Sequence, residues 1–437
     1  MQSSPPFPTL RQRNSMVDYS QYASHLENLI EQSDWGRKVD VGIDYHYDLN
    51  GGAAKALKKL VDNHHIRASG AYFTGEALAR EAISKAIELR TELTAFDPTC
   101  GAGDLLLRWA ETLPVERSLE RTLSNWGRLL AGYDIHQAFI DVTKRRLTLC
   151  AISRGAQRTG KPLKIDSQFP LIRRRDFLKD SSEISAETIL LNPPFRQIKC
   201  ENSFEWAGGQ VSQAAMFFVK CLEQKDDKKI VSILPDVLRS GARYEKWRKL
   251  VSERMGCAEV SHEGAFGNGV DIDVFVLNGL LKSNSDEEIK WSPNTTEKTT
   301  LGSFCDVRIG SVVPHRHSQK GPWTRYYTAK DLPVWAEIEE GPKRRVQTSL
   351  LKPPFLAVRR TSSPSDRRRP LASLVKGDAE VALENHLIGI RPNDGKLSTC
   401  RLLLKSLQNP ATRTFLDNEI RCRHLTVGAL KKLPLFK

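Results

Sequence analysis

Residues 93–109 leave this chain few architectures to choose from. The apolar run LTAFDP passes through TCGAG straight into DLLLRW. That order reads as a buried strand, a tight glycine turn and an amphipathic helix. Gly101 and Gly103 permit positive φ and let a ligand come close to the backbone. The loop is not GxxxxGK[ST], which excludes a P-loop triphosphate site, and it carries only the GxG half of a dinucleotide fingerprint. A tight turn without a ligand has the same sequence, so the loop by itself leaves both readings open.

The surrounding pattern repeats the theme. Short apolar runs at 129–135 (LLAGYDI), 188–194 (TILLNPP), 229–235 (KIVSILP), 257–263 (CAEVSHE) and 273–281 (DVFVLNGLL) read as strands. Helical patterns over Asp104–Leu113 and Ile135–Ile152 fall between several of them. This alternation predicts an α/β domain with a mostly parallel sheet. The last two runs lie close together, with Gly264, Gly267 and Gly269 between them, and predict an antiparallel hairpin at one edge. Upstream, Tyr22, Leu26, Leu29 and Ile30 are spaced as on a helix, Gly51-Gly52 interrupts, and Ala53 to His64 reads as a second amphipathic helix. Asp134 ends the second strand, where a carboxylate can accept from a ribose diol or cap the following helix.

TILLNPPF (188–195) puts Asn192 at the end of a buried strand, followed by two prolines that fix φ and stop the strand. The corner is rigid. An amino group on an aromatic ring is a poor nucleophile because its lone pair is delocalised. The Asn192 side-chain oxygen and the Pro193 carbonyl can each accept one amino hydrogen, so the nitrogen pyramidalises. Phe195 can stack on the base. Such a base must arrive single-stranded or flipped from its duplex.

Taken in order, these motifs resemble those of adenine-N6 DNA methyltransferases of the gamma arrangement, as found in restriction-modification systems. GAYFT (70–74), AFDPTCGAGDLL (95–106), GYDI (132–135), RRRDFL (173–178) and LNPPF (191–195) match that group's motifs in sequence order and span about half the chain. One departure is FTG at 73–75, where many relatives have proline after the threonine. The resemblance implies a Rossmann-like methyltransferase domain with a mostly parallel seven-stranded sheet and S-adenosylmethionine as cofactor. It implies that Tyr72, Phe73 and Thr74 close over the methionine end and that Asp97, Cys100, Gly101 and Gly103 line the cofactor loop. Asp134 would bind the ribose hydroxyls, and Asp176, with Phe177 near the ring, the cofactor adenine. Asn192, Pro193, Pro194 and Phe195 would handle the target base, with Phe266 as a second stacking aromatic. No metal and no covalent enzyme intermediate are implied, and Cys100 is read as structural.

Charge divides the chain. It carries 66 Lys+Arg and 52 Asp+Glu, a net +14, and residues 301–437 hold 25 of the basic and 12 of the acidic residues. A localised basic excess points to a polyanion, most often nucleic acid. This third includes Arg359-Arg360 and Arg367-Arg368-Arg369, expected to meet phosphates, with some arginines free for guanine edges. LGSFCDVRIGSVV, PPFLAVRRTSSPSD, ENHLIGIRP and HLTVGALKKLPL resemble a target-recognition domain of restriction specificity subunits. LKPPF (351–355) has Lys352 in place of the asparagine and reads as a turn, and His315 and His317 read as a solvated or DNA-facing loop.

The expected organisation is therefore a helical extension (1–69), a methyltransferase domain (70–282), a linker (283–300) and an α+β target-recognition domain (301–437). Expected partners are double-stranded DNA and a restriction nuclease or defence-system component. The absence of an apolar span or signal-like N-terminus and the unpaired spacing of the eight cysteines predict a cytoplasmic, nucleoid-associated protein with reduced thiols. Two other readings share the motif or the charge. One is an N-methyltransferase of ribosomal RNA or of protein glutamine. The other is a non-catalytic DNA-specificity protein.

Overall fold

The computed structural model describes residues 16–33, 45–70, 72–88, 92–159, 163–180, 184–199, 204–225, 227–267, 270–282, 285, 287–293, 299–314, 316, 320–361, 369–421 and 424–436. The chain divides into two compact units, one holding 1–238 and 243–289, the other 239–242 and 290–437.

Among the described residues the first unit is built on nine strands: β1 (Ala95–Asp97), β2 (Leu130–Asp134), β3 (Ile172–Arg174), β4 (Thr188–Leu191), β5 (Gln197–Lys199), β6 (Gln210–Ser212), β7 (Lys229–Pro235), β8 (Met255–Gly267) and β9 (Val270–Leu281). Seven form one sheet in the order β3-β2-β1-β4-β7-β9-β8; β5 and β6 pair separately. The first five strands of that order run parallel, and β9 is antiparallel to both β7 and β8. The expected edge hairpin is thus present. β4 and β7 are buried along their whole length, as strands covered on both faces must be, which is why TILL and KIVSILP show no polar alternation. The short strand β3 was not among the sequence's strand candidates: only Ile172 of its three residues is buried.

The helices Asp104–Ala110 and Gln137–Ser153 follow β1 and β2 and pack on the sheet. The described part of the N-terminal region joins this unit. In the helix Ser20–Gln32, Tyr22, Ala23, Leu26 and Ile30 are buried. The segment at 48–49 is anchored by Arg146, whose buried guanidinium donates to the carbonyls of Asp48 (3.0 Å), Leu49 (3.0 Å) and Ala102 (2.6 Å) and pairs with Asp104 at 2.7 Å. One arginine thereby ties the Gly51-Gly52 interruption to the glycine loop, using donors fixed in a planar fork.

The second unit contains β10 (Cys305–Ile309), β11 (Trp323–Tyr327), β12 (Glu337–Ile338), β13 (Lys343–Arg345), β14 (Phe355–Arg359), β15 (Ala372–Val375), β16 (Val381–Leu383) and β17 (Leu387–Pro392). They form a five-stranded sheet, β10-β17-β14-β15-β12, and a three-stranded sheet, β13-β11-β16. Helices Leu397–Gln408, Pro410–Glu419 and Val427–Lys432 come last and contribute to the core with Leu356, Leu374 and Ile390. Asn409 caps the middle helix by accepting from the Ala411 amide, with Pro410 at the first helical position. Among the described residues no helix is long and apolar enough to cross a membrane, and no three His, Cys, Asp or Glu are placed to hold a metal ion.

Candidate active site

Strand order reverses between β1 and β4, the position at which open parallel sheets bind ligands. A cavity lies there. It is lined from the glycine loop by Asp97, Pro98, Thr99, Cys100 and Gly101, from β2 onward by Asp134, Ile135 and His136, and after β3 by Arg175, Asp176, Phe177 and Leu178. The Tyr72-Phe73-Thr74 segment, Asn192, Pro194 and Arg196 complete it with Phe139 and Phe217.

The glycines are explained by what they touch. Gly103 has φ +84°, and a Cβ there would come within 2.7 Å of the Thr143 methyl; a Cβ on Gly101, φ +53°, would meet the Phe73 ring at 3.1 Å. The loop is pinned by the Cys100 N–H donating to the Tyr133 carbonyl (2.9 Å) and the Thr143 hydroxyl donating to the Gly101 carbonyl (2.8 Å). Phe73 itself packs on Phe139 at 5.2 Å and near the N-terminal Tyr19 at 6.1 Å, so the extension stands directly behind the cavity wall.

Four carboxylates line the cavity: Asp104, which is paired with Arg146, and Asp97, Asp134 and Asp176, whose surroundings differ. Asp134 accepts from the His136 N–H at 2.8 Å and the Gly101 N–H at 3.2 Å, one on each oxygen. Burial raises its pKa to about 6, against the pull of those two N–H groups. Asp97 accepts from the Thr99 N–H at 2.9 Å, and burial, reinforced by the charge of Asp134, raises it to about 8. Asp176 caps the turn Phe177–Lys179 by accepting from the Leu178 N–H at 3.2 Å, and Lys179 lies 3.5 Å from its other oxygen. Phe177 stacks parallel to Phe217, with ring centroids 6.2 Å apart. The Cys100 thiol is buried and held well above its usual pKa by desolvation and by Asp97 and Asp134, which fits a structural role better than a nucleophilic one.

The proline-locked corner carries the most specific contact. Asn192 Nδ2 donates to the Thr74 hydroxyl at 2.6 Å, across 118 residues of sequence. With its nitrogen engaged, the amide turns its oxygen to the other side as an acceptor. Beyond it, Arg196 Nε donates to the Gln213 side-chain oxygen at 2.6 Å while the Gln213 N–H donates back to the Arg196 carbonyl at 2.9 Å. Phe195 and Phe266 meet edge to face, centroids 5.2 Å apart at 75°, and Phe266 is buried. Two parallel rings flanking a base would stand roughly 7 Å apart, twice the ~3.5 Å contact distance. As they stand these two rings touch each other instead.

Of the residues expected at the site, Tyr72, Phe73, Thr74, Asp97, Cys100, Gly101, Asp134, Asp176, Phe177, Asn192 and Pro194 line the cavity; Gly103, Pro193, Phe195 and Phe266 do not. Ile135, His136, Phe139, Arg196, Gln213 and Phe217 were missed. Ile135 had a readable signal, an apolar side chain directly after the acid that ends β2, and it is left 50% exposed. Phe139 and Phe217 had none, because a helix's aromatic residues look alike whether they face core or cavity.

Of the arginines expected on DNA, Arg369 is placed away from solvent. The Arg369 side chain is fully buried, 3.7 Å from Asp417, and donates to the Ile420 carbonyl. It is a core residue and cannot contact phosphate there. Arg359 and Arg360 are half-buried and donate to the Leu332 and Asn385 carbonyls, at 2.8 and 3.4 Å. Arg367 and Arg368, like His315 and His317, lie outside the described residues.

No family model matches this chain, and no curated protein matches it. Solved structures do. The chain is similar to the type IIL restriction-modification enzyme MmeI in complex with DNA, at 13% identity and a TM-score of 0.50, over 87% of this chain and 70% of that one. It is also similar to the type IIG restriction endonuclease BpuSI, at 13% identity and a TM-score of 0.42, over 97% and 68% of the two chains. A third is the M protein of the type I restriction enzyme EcoKI, at 11% identity and a TM-score of 0.36, over 64% and 60%. At this identity the MmeI likeness shows the fold alone, a mixed α/β fold with a mostly parallel seven-stranded sheet.

Proposed function

We propose that this chain is a site-specific DNA methyltransferase that uses S-adenosylmethionine to methylate the N6 amino group of adenine in a flipped-out base. The observation that carries the reading is the Asn192 amide, bonded to Thr74 at a proline-locked corner and lining one cavity with Asp134 and Asp176. The similar enzyme MmeI, solved on DNA, supports DNA as the substrate.

The cavity fits the cofactor on its own chemistry. Each Asp134 oxygen has satisfied one backbone N–H and retains a lone pair for a hydroxyl, which suits a ribose diol. Ile135, exposed beside it, and Phe177 offer flat apolar surfaces to a purine, and Asp176 offers an acceptor to its amino group. When bound, S-adenosylmethionine supplies a sulfonium-activated methyl group.

The chain's own residues do the rest by orientation. Asn192 Oδ1 and the Pro193 carbonyl accept the two hydrogens of the target amino group, which localises its lone pair out of the ring plane. Thr74 accepts from Asn192 Nδ2, which leaves Oδ1 to the amino group, whose hydrogens need an acceptor. Phe195 stacks on the base, and Phe266 must turn from its edge-on packing for both rings to cover it.

The basic second unit would serve as the target-recognition domain, and residues 16–33 and 45–69 as the wall behind the cofactor. Incubating the purified chain with labelled S-adenosylmethionine and duplex DNA, ribosomal RNA or protein tests the proposal. Label is expected in DNA, as N6-methyladenine. Label in RNA or glutamine alone, or none anywhere despite cofactor binding, overturns it.

A further inference from the structure

The second unit's positive charge is unevenly compensated. Most of its buried or bridging cations have partners: Arg401 and Lys376 share Glu337, Arg369 meets Asp417, and Lys432 meets Glu419. The hairpin around β11 and β13 is different. From 307 to 330, through β11, the sequence has no carboxylate and carries Arg308, Arg316, Lys320, Arg325 and Lys330, of which Arg308 pairs with Asp306; the connection on to β13 holds Asp331, Glu337, Glu339 and Glu340, and Glu337 is taken by Arg401 and Lys376. β13 adds Lys343, Arg344 and Arg345 in a row.

The ladder sorts these side chains onto two faces. Trp323 pairs with Arg345, Thr324 with Arg344 and Arg325 with Lys343, and directly opposed residues of an antiparallel pair project to the same side. On the inner face Arg344 lies over the Tyr326 ring and Thr324 is buried. On the outer face stand Trp323, Arg345 and Lys343. Trp323 is 68% exposed, the most exposed large hydrophobic side chain among the described residues. Lys343 and Arg345 are exposed, as is Lys320, and none of the three makes an ion pair among the described residues. Lys320 is held close by, because the Val346 N–H beyond Arg345 donates to the carbonyl of Pro322 at 3.2 Å.

An exposed indole costs solubility unless something covers it, and unpaired cations beside it select an anionic cover. We infer that this face of the β11–β13 hairpin is a contact surface for the sugar-phosphate backbone of duplex DNA. Lys320, Lys343 and Arg345 meet phosphates, and Trp323 packs on the adjoining sugar edge. The inference rests on the reading that the substrate is DNA, and it moves the phosphate contact from Arg369 to residues that the sequence's arginine cluster did not include.

The test is binding of the full-length chain to a labelled 30-base-pair duplex across a range of salt, with wild type, Lys343→Ala/Arg345→Ala and Trp323→Ala. Each phosphate contact contributes about −0.9 to the slope of log K against log salt, so the double variant should lose about 1.8 from that slope. Trp323→Ala should weaken binding about tenfold and leave the slope unchanged. Thermal unfolding and S-adenosylmethionine affinity should not move, because these side chains are solvent-facing. Arg345→Lys, which keeps the charge, should retain the slope.

If wild type binds and methylates the duplex but both variants match it in affinity and slope, the surface is wrong and the DNA reading stands. If the slope changes only for a single-stranded oligonucleotide, the surface is also wrong as a duplex site. If wild type binds no DNA and transfers label to RNA or protein, the DNA reading fails first and the surface falls with it.

Discussion

Asp134 in the first unit and Arg369 in the second each bring a charge inside the fold, and their surroundings differ. Asp134 stands on a cavity wall, and both of its oxygens accept from backbone N–H groups. A carboxylate met in this way keeps lone pairs for a ligand. Arg369 lies in the core with Asp417 and a main-chain carbonyl as its partners. Its charge is answered by an opposite charge, and no part of its side chain reaches solvent. Recognition needs charges of the first kind. Among the described residues of the second unit, Lys343 and Arg345 of β13 are exposed cations of that kind, and Arg369 is not.

The sharpest way to break the comparison is at the corner beside Asp134. Asn192→Ala is expected to reduce methyl transfer about 1,000-fold, since it removes an acceptor needed only as the amino nitrogen reacts. Cofactor affinity by calorimetry should stay within about twofold. Equal loss of both would place Asn192 in the cofactor site and not against the target base.

Arg369→Ala probes the other side. It removes a guanidinium from the core and leaves the Asp417 carboxylate with the more exposed Arg413 at 3.4 Å, a loss of about 2 kcal/mol. The full-length chain should unfold at lower temperature, and its salt slope on DNA should stay as in wild type. A changed slope with an unchanged melting temperature would mean that Arg369 reaches DNA after all.

A smaller effect separates orientation from binding. Thr74→Val keeps the shape and removes the acceptor that holds the Asn192 amide. Transfer should slow about tenfold, the order expected for one buried hydrogen bond, with Thr74→Ser restoring most of the rate. If Thr74→Val instead raises the cofactor Kd by the same factor, Thr74 acts on the methionine end alone.

How much of this the residues announced depended on what fixed their position. The glycine loop, the acid ending β2 and the proline corner are short segments whose backbone dictates where the side chains point, and they converge as the motifs imply. The Asn192–Thr74 contact could not be read, because it joins residues 118 apart. The same holds for Phe266, whose packing against Phe195 depends on a register shift in the β8–β9 ladder. β3 was missed for a physical reason: two of its three residues are exposed, so it has no apolar period. In the second unit, composition gave the amount of charge but not its location. Arg369 and Lys343 are equivalent in a sequence count, and only tertiary packing sorts one into the core and the other onto an open face.

The smallest expected effect tests whether Asp134 serves the ligand. Its pKa of about 6 means that the carboxylate is about nine-tenths ionised at pH 7 and about one quarter ionised at pH 5.5. If the ionised form accepts the ribose hydroxyls, S-adenosylmethionine affinity should fall about fourfold over that interval, and Asp134→Asn should flatten the profile. Stability of the free chain has the opposite sign. A carboxyl raised by burial favours the protonated native state, so its contribution is present at acid pH and is lost as pH rises from the ordinary carboxylate range through about 6. Asp97, raised to about 8, extends that loss upward, and Asp97→Asn should flatten it there. Affinity that rises with pH while free-chain stability falls marks a group held at a desolvation cost for a ligand; if both move the same way, Asp134 is a structural acid and the diol is bound elsewhere.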